Sequence, residues 1–103
     1  MITSKQRSFL RGLAHSKDAV FQIGKNGVTP ETVQAIDDYL EAHELIKVNV
    51  LNNCMDDPKD VADTLAGRTR SEIVQVVGKK AVLYRANKKP KIELPKEKKV
   101  KTS

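Results

Sequence analysis

Residues 24 to 27 read Gly-Lys-Asn-Gly. Two glycines three positions apart let a backbone approach a ligand with no side chain in the way, and the lysine between them adds a positive charge. The segment follows a short apolar run, Val20-Phe21-Gln22-Ile23, and stands just ahead of Thr29-Pro30-Glu31, a strong helix start. A helix N-terminus brings unpaired N–H groups and the positive end of the helix dipole. The chemistry this combination suits is non-covalent, the capture of a phosphate. The GxxG spacing by itself is a weak signal, since an Asn-Gly turn reads the same way. Its weight comes from the strand before it and the capped helix after it. The segment has neither the Lys-Ser/Thr pair and longer glycine spacing of a Walker loop nor the GxGxxG of a dinucleotide site. ATP and NAD are therefore not expected, and no cofactor is.

Other reactive residue types are sparse. His15 and His43 are far apart, and His43 falls near the apolar side of its segment, where packing or capping is the simpler role. Asp56, Asp57 and Asp60 could suggest a metal site, but capping and dipole stabilisation account for them. Cys54 is the only cysteine, which excludes an internal disulfide and a thiolate metal cluster. No nucleophile is paired with a base, so an enzyme is not expected and no catalytic residue is assigned. The aromatic residues are Phe9, Phe21, Tyr39 and Tyr84. All four sit in apolar patterns that predict core packing, and a base-stacking sheet of the RRM kind is disfavoured.

The 103 residues allow one domain, and the net charge is +6. That charge is uneven. Residues 87 to 103 hold seven lysines and two glutamates, so most of the excess lies there. Residues 1 to 17 carry Lys5, Arg7, Arg11 and Lys17 without an acid, whereas residues 31 to 44 carry Glu31, Asp37, Asp38, Glu41 and Glu44 without lysine or arginine. Residues 64 to 86 are again basic, with Arg68, Arg70, Lys79, Lys80 and Arg85 against Glu72. Such polarity favours an anionic partner on one side. There is no signal-peptide core and no apolar run of membrane-spanning length, so a cytoplasmic location without membrane contact is expected.

The elements that must position these groups follow from pattern. Thr3 and Gln6 have capping-box spacing and predict a helix from about Ser4. On it Phe9, Leu10, Leu13 and Ala14 form an apolar stripe, with Arg7, Arg11 and His15 as a basic edge at i, i+4 and i+8. Val20 to Ile23 reads as a strand. Thr29 caps a second helix with Val33, Ile36, Tyr39 and Leu40 inward and an acidic outer face. In Leu45 to Leu51, Ile46, Val48 and Val50 share one strand face, and Lys47 and Asn49 the other. Asp57-Pro58 starts a third helix, with Gly67 as its expected C-terminal cap. Ile73 to Val77 and Ala81 to Tyr84 form a hairpin about Gly78-Lys79-Lys80. The order α-β-α-β-α-β-β predicts a small two-layer α/β fold with a four-stranded mixed sheet. It occupies residues 1–86, and a basic tail, expected to be disordered, occupies 87–103.

Several of these segments together resemble the YhbY family of small RNA-binding proteins, stand-alone versions of the CRM domain (chloroplast RNA splicing and ribosome maturation). They are Lys5-Gln6-Arg7 with Leu10-Arg11, IGKNGVT at 23 to 29, HELIKV at 43 to 48 and VVGKKAVLYR at 76 to 85. The resemblance implies a fold similar to the C-terminal domain of translation initiation factor three. It also implies association with precursors of the large ribosomal subunit, with ribosomal RNA as partner. It carries RNA contact onto Gly24, Lys25, Asn26 and Gly27, onto Lys5, Arg7 and Arg11 of the first helix, and onto Arg85. Lys79, Lys80, Lys88 and Lys89 are further candidates on charge. No small-molecule substrate or metal is expected, and a monomer is favoured. The alternative reading is a protein-interaction module whose acidic second-helix face docks ribosomal proteins.

Overall fold

The computed structural model describes residues 2–88, 92 and 94. Three helices and four strands alternate in the predicted order: α1 (Ser4–His15), β1 (Phe21–Ile23), α2 (Pro30–His43), β2 (Leu45–Val50), α3 (Pro58–Thr69), β3 (Glu72–Val77) and β4 (Lys80–Tyr84). The sheet order is β1-β2-β4-β3, with β1 parallel to β2 and the other pairs antiparallel.

Local signals set most of the boundaries. The Thr3 side chain accepts from the Gln6 backbone N–H, and the Gln6 side chain accepts from that of Thr3, a complete capping box. Thr29 caps α2 through Thr32, with Pro30 as first helical residue. Asp57 occupies the N-cap position of α3, but its side chain makes no capping bond. The end of α3 departs from expectation. The helix runs past Gly67 to Thr69, and Arg70 takes the left-handed cap at φ 56. Thr69 is buried and donates to the Leu65 carbonyl, so tertiary burial carries the helix a fraction of a turn beyond its glycine.

Strand alternation divides the sheet into two faces. On one, Ile23, Ile46, Val48, Val50 and Leu83 pack with Ile36 and Leu40 of α2 and Val61 and Leu65 of α3. On the other, Leu45, Val74, Val82 and Tyr84 pack under Leu10 and Ala14 of α1. The sheet and α2/α3 are the two expected layers, and α1 covers part of the opposite face. Phe9 belongs to neither cluster. It is 39% exposed at the margin of the α1 stripe, contrary to the core role its pattern predicts, because Leu10, Leu13 and Ala14 already fill the contact with the sheet.

Residues beyond 86 contribute to the second cluster. Ile92 and Leu94 pack against it. The fully buried Glu44 carboxylate accepts from the backbone N–H of Asn87 at 2.9 Å and of Ile92 at 2.7 Å. The sequence boundary at 86/87 thus falls inside a hydrogen-bonded network. Most of the lysine-rich tail, Lys89 included, lies outside the described residues.

Candidate nucleic-acid interface

The two ends of the sheet collect different groups. One end gathers the C-terminal ends of β1 and β2, the β3–β4 turn and the starts of α2 and α3; we call it the loop pole. Gly24-Lys25-Asn26-Gly27 forms a tight turn there, closed by the Gly27 N–H donating to the Gly24 carbonyl at 2.9 Å. Lys25 and Asn26 are its exposed corners.

Both glycines have a structural reason. Gly27 has φ +65, a conformation that costs a side-chain-bearing residue roughly 1 kcal/mol. A Cβ on Gly24 would lie 3.2 Å from the Asn53 side-chain oxygen and 3.3 Å from Leu51. Two donors expected to face a phosphate are already used within the fold: the Gly27 N–H closes the turn, and the Thr32 N–H is capped by Thr29. What the turn offers outward is the Lys25 ammonium and the Asn26 amide.

The neighbouring loops lean on one another. Leu51 N–H donates to the Ile23 carbonyl at 2.8 Å and Val50 N–H to the Lys79 carbonyl at 2.7 Å. The Lys79 ammonium donates to the Asn52 side chain. Lys80 opens β4 and is exposed. Lys79 and Lys80 therefore stand at the same pole as the Gly24–Gly27 turn. The α3 side of this pole is acidic: Asp56 and Asp57 line a cleft of about 190 Å³ with Asn52, Met55 and Lys79. A polyanion is favoured on the α1 side, away from those carboxylates.

The basic edge of α1 faces that side. Gln6 lies on the opposite flank of the helix and lines a cavity with Tyr84 and Leu94 at the far end of the sheet. Arg7, one residue on, donates to the Ile73 carbonyl and, at 3.3 Å, to that of Val74, where the β3 register shifts. Its guanidinium thus satisfies carbonyls at an irregular strand edge. Arg11, one turn later on the same flank, is exposed and touches only the Ser8 hydroxyl, at 3.3 Å, among the described residues. Lys5 is exposed in the first turn.

Arg85 is placed elsewhere. It follows β4 at the opposite end, which we call the strap pole, about 17 Å away along a six-residue strand. Its guanidinium bonds Asp37 at 2.5 Å, Glu41 at 3.1 Å and the Thr69 carbonyl at 2.7 Å. Those contacts join the C-terminal half of α2 to the end of α3 and draw down the charge of the acidic α2 face. Lys88 is exposed at this same end. Burial, and secondarily the Glu44 carboxylate, push the Tyr84 phenol above its ordinary 10.0. His43 stacks on Tyr39, ring centroids 4.2 Å apart.

A profile of the CRS1/YhbY (CRM) domain matches residues 2–85. The chain belongs to that family. It is 49% identical over 96 residues to YqeI of Bacillus subtilis, named a probable RNA-binding protein, covering 92% of this chain and all of the relative. It is 35% identical over 96 residues to a Haemophilus influenzae RNA-binding protein, covering 93% and 97%. The solution structure of the hypothetical protein SAV1595 from Staphylococcus aureus superposes with a TM-score of 0.78 at 53% identity. That match covers 92% of this chain and 100% of that one. As a CRM-family chain the protein has the fold its sequence predicts, with the GxxG turn at one end of the sheet. Residues that the sequence pattern does not single out as site residues are Asn52, Asn53 and Gln22. Asn52 and Asn53 lie in a loop whose placement depends on pairing between β1 and β2.

Proposed function

We infer that this protein binds RNA through its loop pole and acts on precursors of the large ribosomal subunit. The observation that carries the reading is the concentration of exposed Lys25, Asn26 and Lys80 at one pole of a CRM-family fold, with Arg11 exposed on α1. Lys25 and Asn26 meet a phosphate at the turn corners. Arg11 and Lys80 add Coulombic attraction that depends on salt. Lys5 extends the same footprint along α1. Arg7 supports it by fixing α1 to β3, and Lys88 with the lysine-rich tail adds long-range attraction. Arg85 acts as a structural clamp in this scheme. Contacts of this kind position RNA without reading its sequence.

The test has two parts. Binding of a large-subunit ribosomal RNA fragment is measured for the intact chain and for Lys25→Asp at physiological salt; a loss of about tenfold is expected, and unchanged affinity contradicts the loop-pole mechanism. Crosslinking in cells then maps the RNA. Sites clustered in large-subunit ribosomal RNA support the assembly role, and sites scattered over messenger RNA with none in ribosomal RNA overturn it.

A further inference from the structure

The face of the sheet that α1 covers is only half covered. Gln22 of β1 pairs with Asn49 of β2, Asn49 with Lys80 of β4, and Lys80 with Val77 of β3. Registered partners point to the same side of a sheet. This row therefore crosses all four strands, on the face opposite Ile23, Val48 and Val50, which pack under α2 and α3. Gln22, Lys80 and Val77 are exposed and Asn49 is half-buried. Among the described residues no hydrogen-bond partner is found for the side chains of Gln22, Asn49 or Lys80. Asparagine is a poor strand former, yet Asn49 sits near the end of a central strand with its amide left open.

The next part of this face toward the strap pole lies under α1, where Leu10 and Ala14 pack on Val74 and Val82 and Arg7 bonds the Ile73 and Val74 carbonyls. On its other side the row meets the Gly24–Gly27 turn, which begins one residue after Ile23, the neighbour of Gln22. It spans three strand spacings, roughly 14 Å. No aromatic side chain stands in it, so it offers no platform for unpaired bases. Two amides, each both donor and acceptor, instead match a group that is itself donor and acceptor, the ribose 2′-hydroxyl. An RNA helix presents 2′-hydroxyls in a wide, shallow minor groove, which suits a flat polar row beside cationic walls.

We propose that Gln22 and Asn49 form a ribose-binding subsite that seats the minor groove of an RNA helix and distinguishes RNA from DNA, while Lys25, Lys80 and Arg11 hold the flanking phosphates. This rests on the RNA-binding reading above. The interface then has two kinds of group with separate roles. The cations set affinity and its salt dependence, and the amides set the preference for RNA.

The experiment compares duplex RNA with duplex DNA of the same sequence, titrated against the full chain and against Gln22→Ala/Asn49→Ala. Thermal unfolding and Asn49→Gln, which keeps the amide, control for folding. The double variant is expected to lose about tenfold in RNA affinity. Its DNA affinity and the salt slope of its RNA binding should stay unchanged, with Asn49→Gln retaining most of the RNA preference. Equal losses for RNA and DNA, or no loss for either, overturn the subsite. If the intact chain fails to bind the RNA duplex while binding ribosomal RNA fragments, the minor-groove inference falls alone. If it binds neither, the RNA-binding reading falls with it.

Discussion

The two ends of β2 carry polar groups with opposite fates. Beyond Val50, Asn52 meets the Lys79 ammonium, Asn53 backs Gly24, and Lys25, Asn26 and Lys80 face outward. Before Leu45, Glu44 is fully buried and binds two backbone N–H groups, while Arg85 is ringed by Asp37, Glu41 and the Thr69 carbonyl. Both ends are rich in charge, so charge alone does not mark an interface. The difference is satisfaction. At the strap pole Glu44 and Arg85 find their partners inside the fold and close it, with Arg70 and Lys88 exposed at its rim. At the loop pole the outward cations have few internal partners and are available to a ligand.

The largest expected effect probes the closed end. Glu44→Ala removes a buried carboxylate and leaves the Asn87 and Ile92 N–H groups without it, which should cost about 3 kcal/mol. Urea unfolding measures the loss, and faster hydrogen exchange at the Ile92 amide should accompany it. A change below about 0.5 kcal/mol would mean the Asn87 and Ile92 hydrogen bonds to Glu44 contribute little and would dissolve the contrast between the poles. Next in size, reversing charge at the open end with Lys25→Glu and Lys80→Glu should weaken RNA binding more than tenfold and flatten its salt dependence by about two units of slope. Stability should move by less than about 0.5 kcal/mol.

How these ends differ is only partly legible in the sequence. The helix starts at Thr3 and Thr29 can be read because a capping bond spans three residues. The strand faces can be read because alternation is local, and on that basis Lys47 and Asn49 fall away from the buried face of β2. The sharing of Asn49 with Gln22 and Lys80 in one open row needs the sheet order, which joins β2 to β4 across α3. The role of Arg85 depends on partners 44 and 48 residues away in sequence, and Glu44 reaches equally far to Asn87 and Ile92. A basic residue beside an acidic helix face gives no local sign of whether it is free or clamped. Gly67 misleads for a related reason: it looks like a cap, but burial of Thr69 keeps the helix going.

Smaller effects sharpen the same contrast. Gly27→Ala places a side chain at φ +65 and should cost roughly 1 kcal/mol, with RNA affinity falling as the Lys25–Asn26 corner shifts. Asn53→Ala should leave the turn's φ alone and have a weaker effect, measured in the same titration. The smallest effect concerns pH. The Tyr84 phenol is raised in the folded state, by burial first and Glu44 second. The unfolded chain therefore loses this proton before the folded one does. The stability this group contributes is complete below its ordinary value of 10.0 and is lost as pH rises through the higher folded value. Tyr84→Phe should lessen the decline of stability above that pH. A decline identical to that of the intact chain would mean the phenol is not held neutral by the fold.

Whether RNA engages the open pole and leaves the closed one untouched can be read from backbone amide NMR during titration with a large-subunit ribosomal RNA fragment. The largest shift changes are expected at residues 22–28, 49–53 and 77–81, together with the Arg7–Arg11 flank of α1, with quiet signals at 41–44 and 84–88. Dominant changes around Glu44, Arg85 and Asn87, with the Gly24–Gly27 turn unmoved, would mean that RNA binds the closed pole instead.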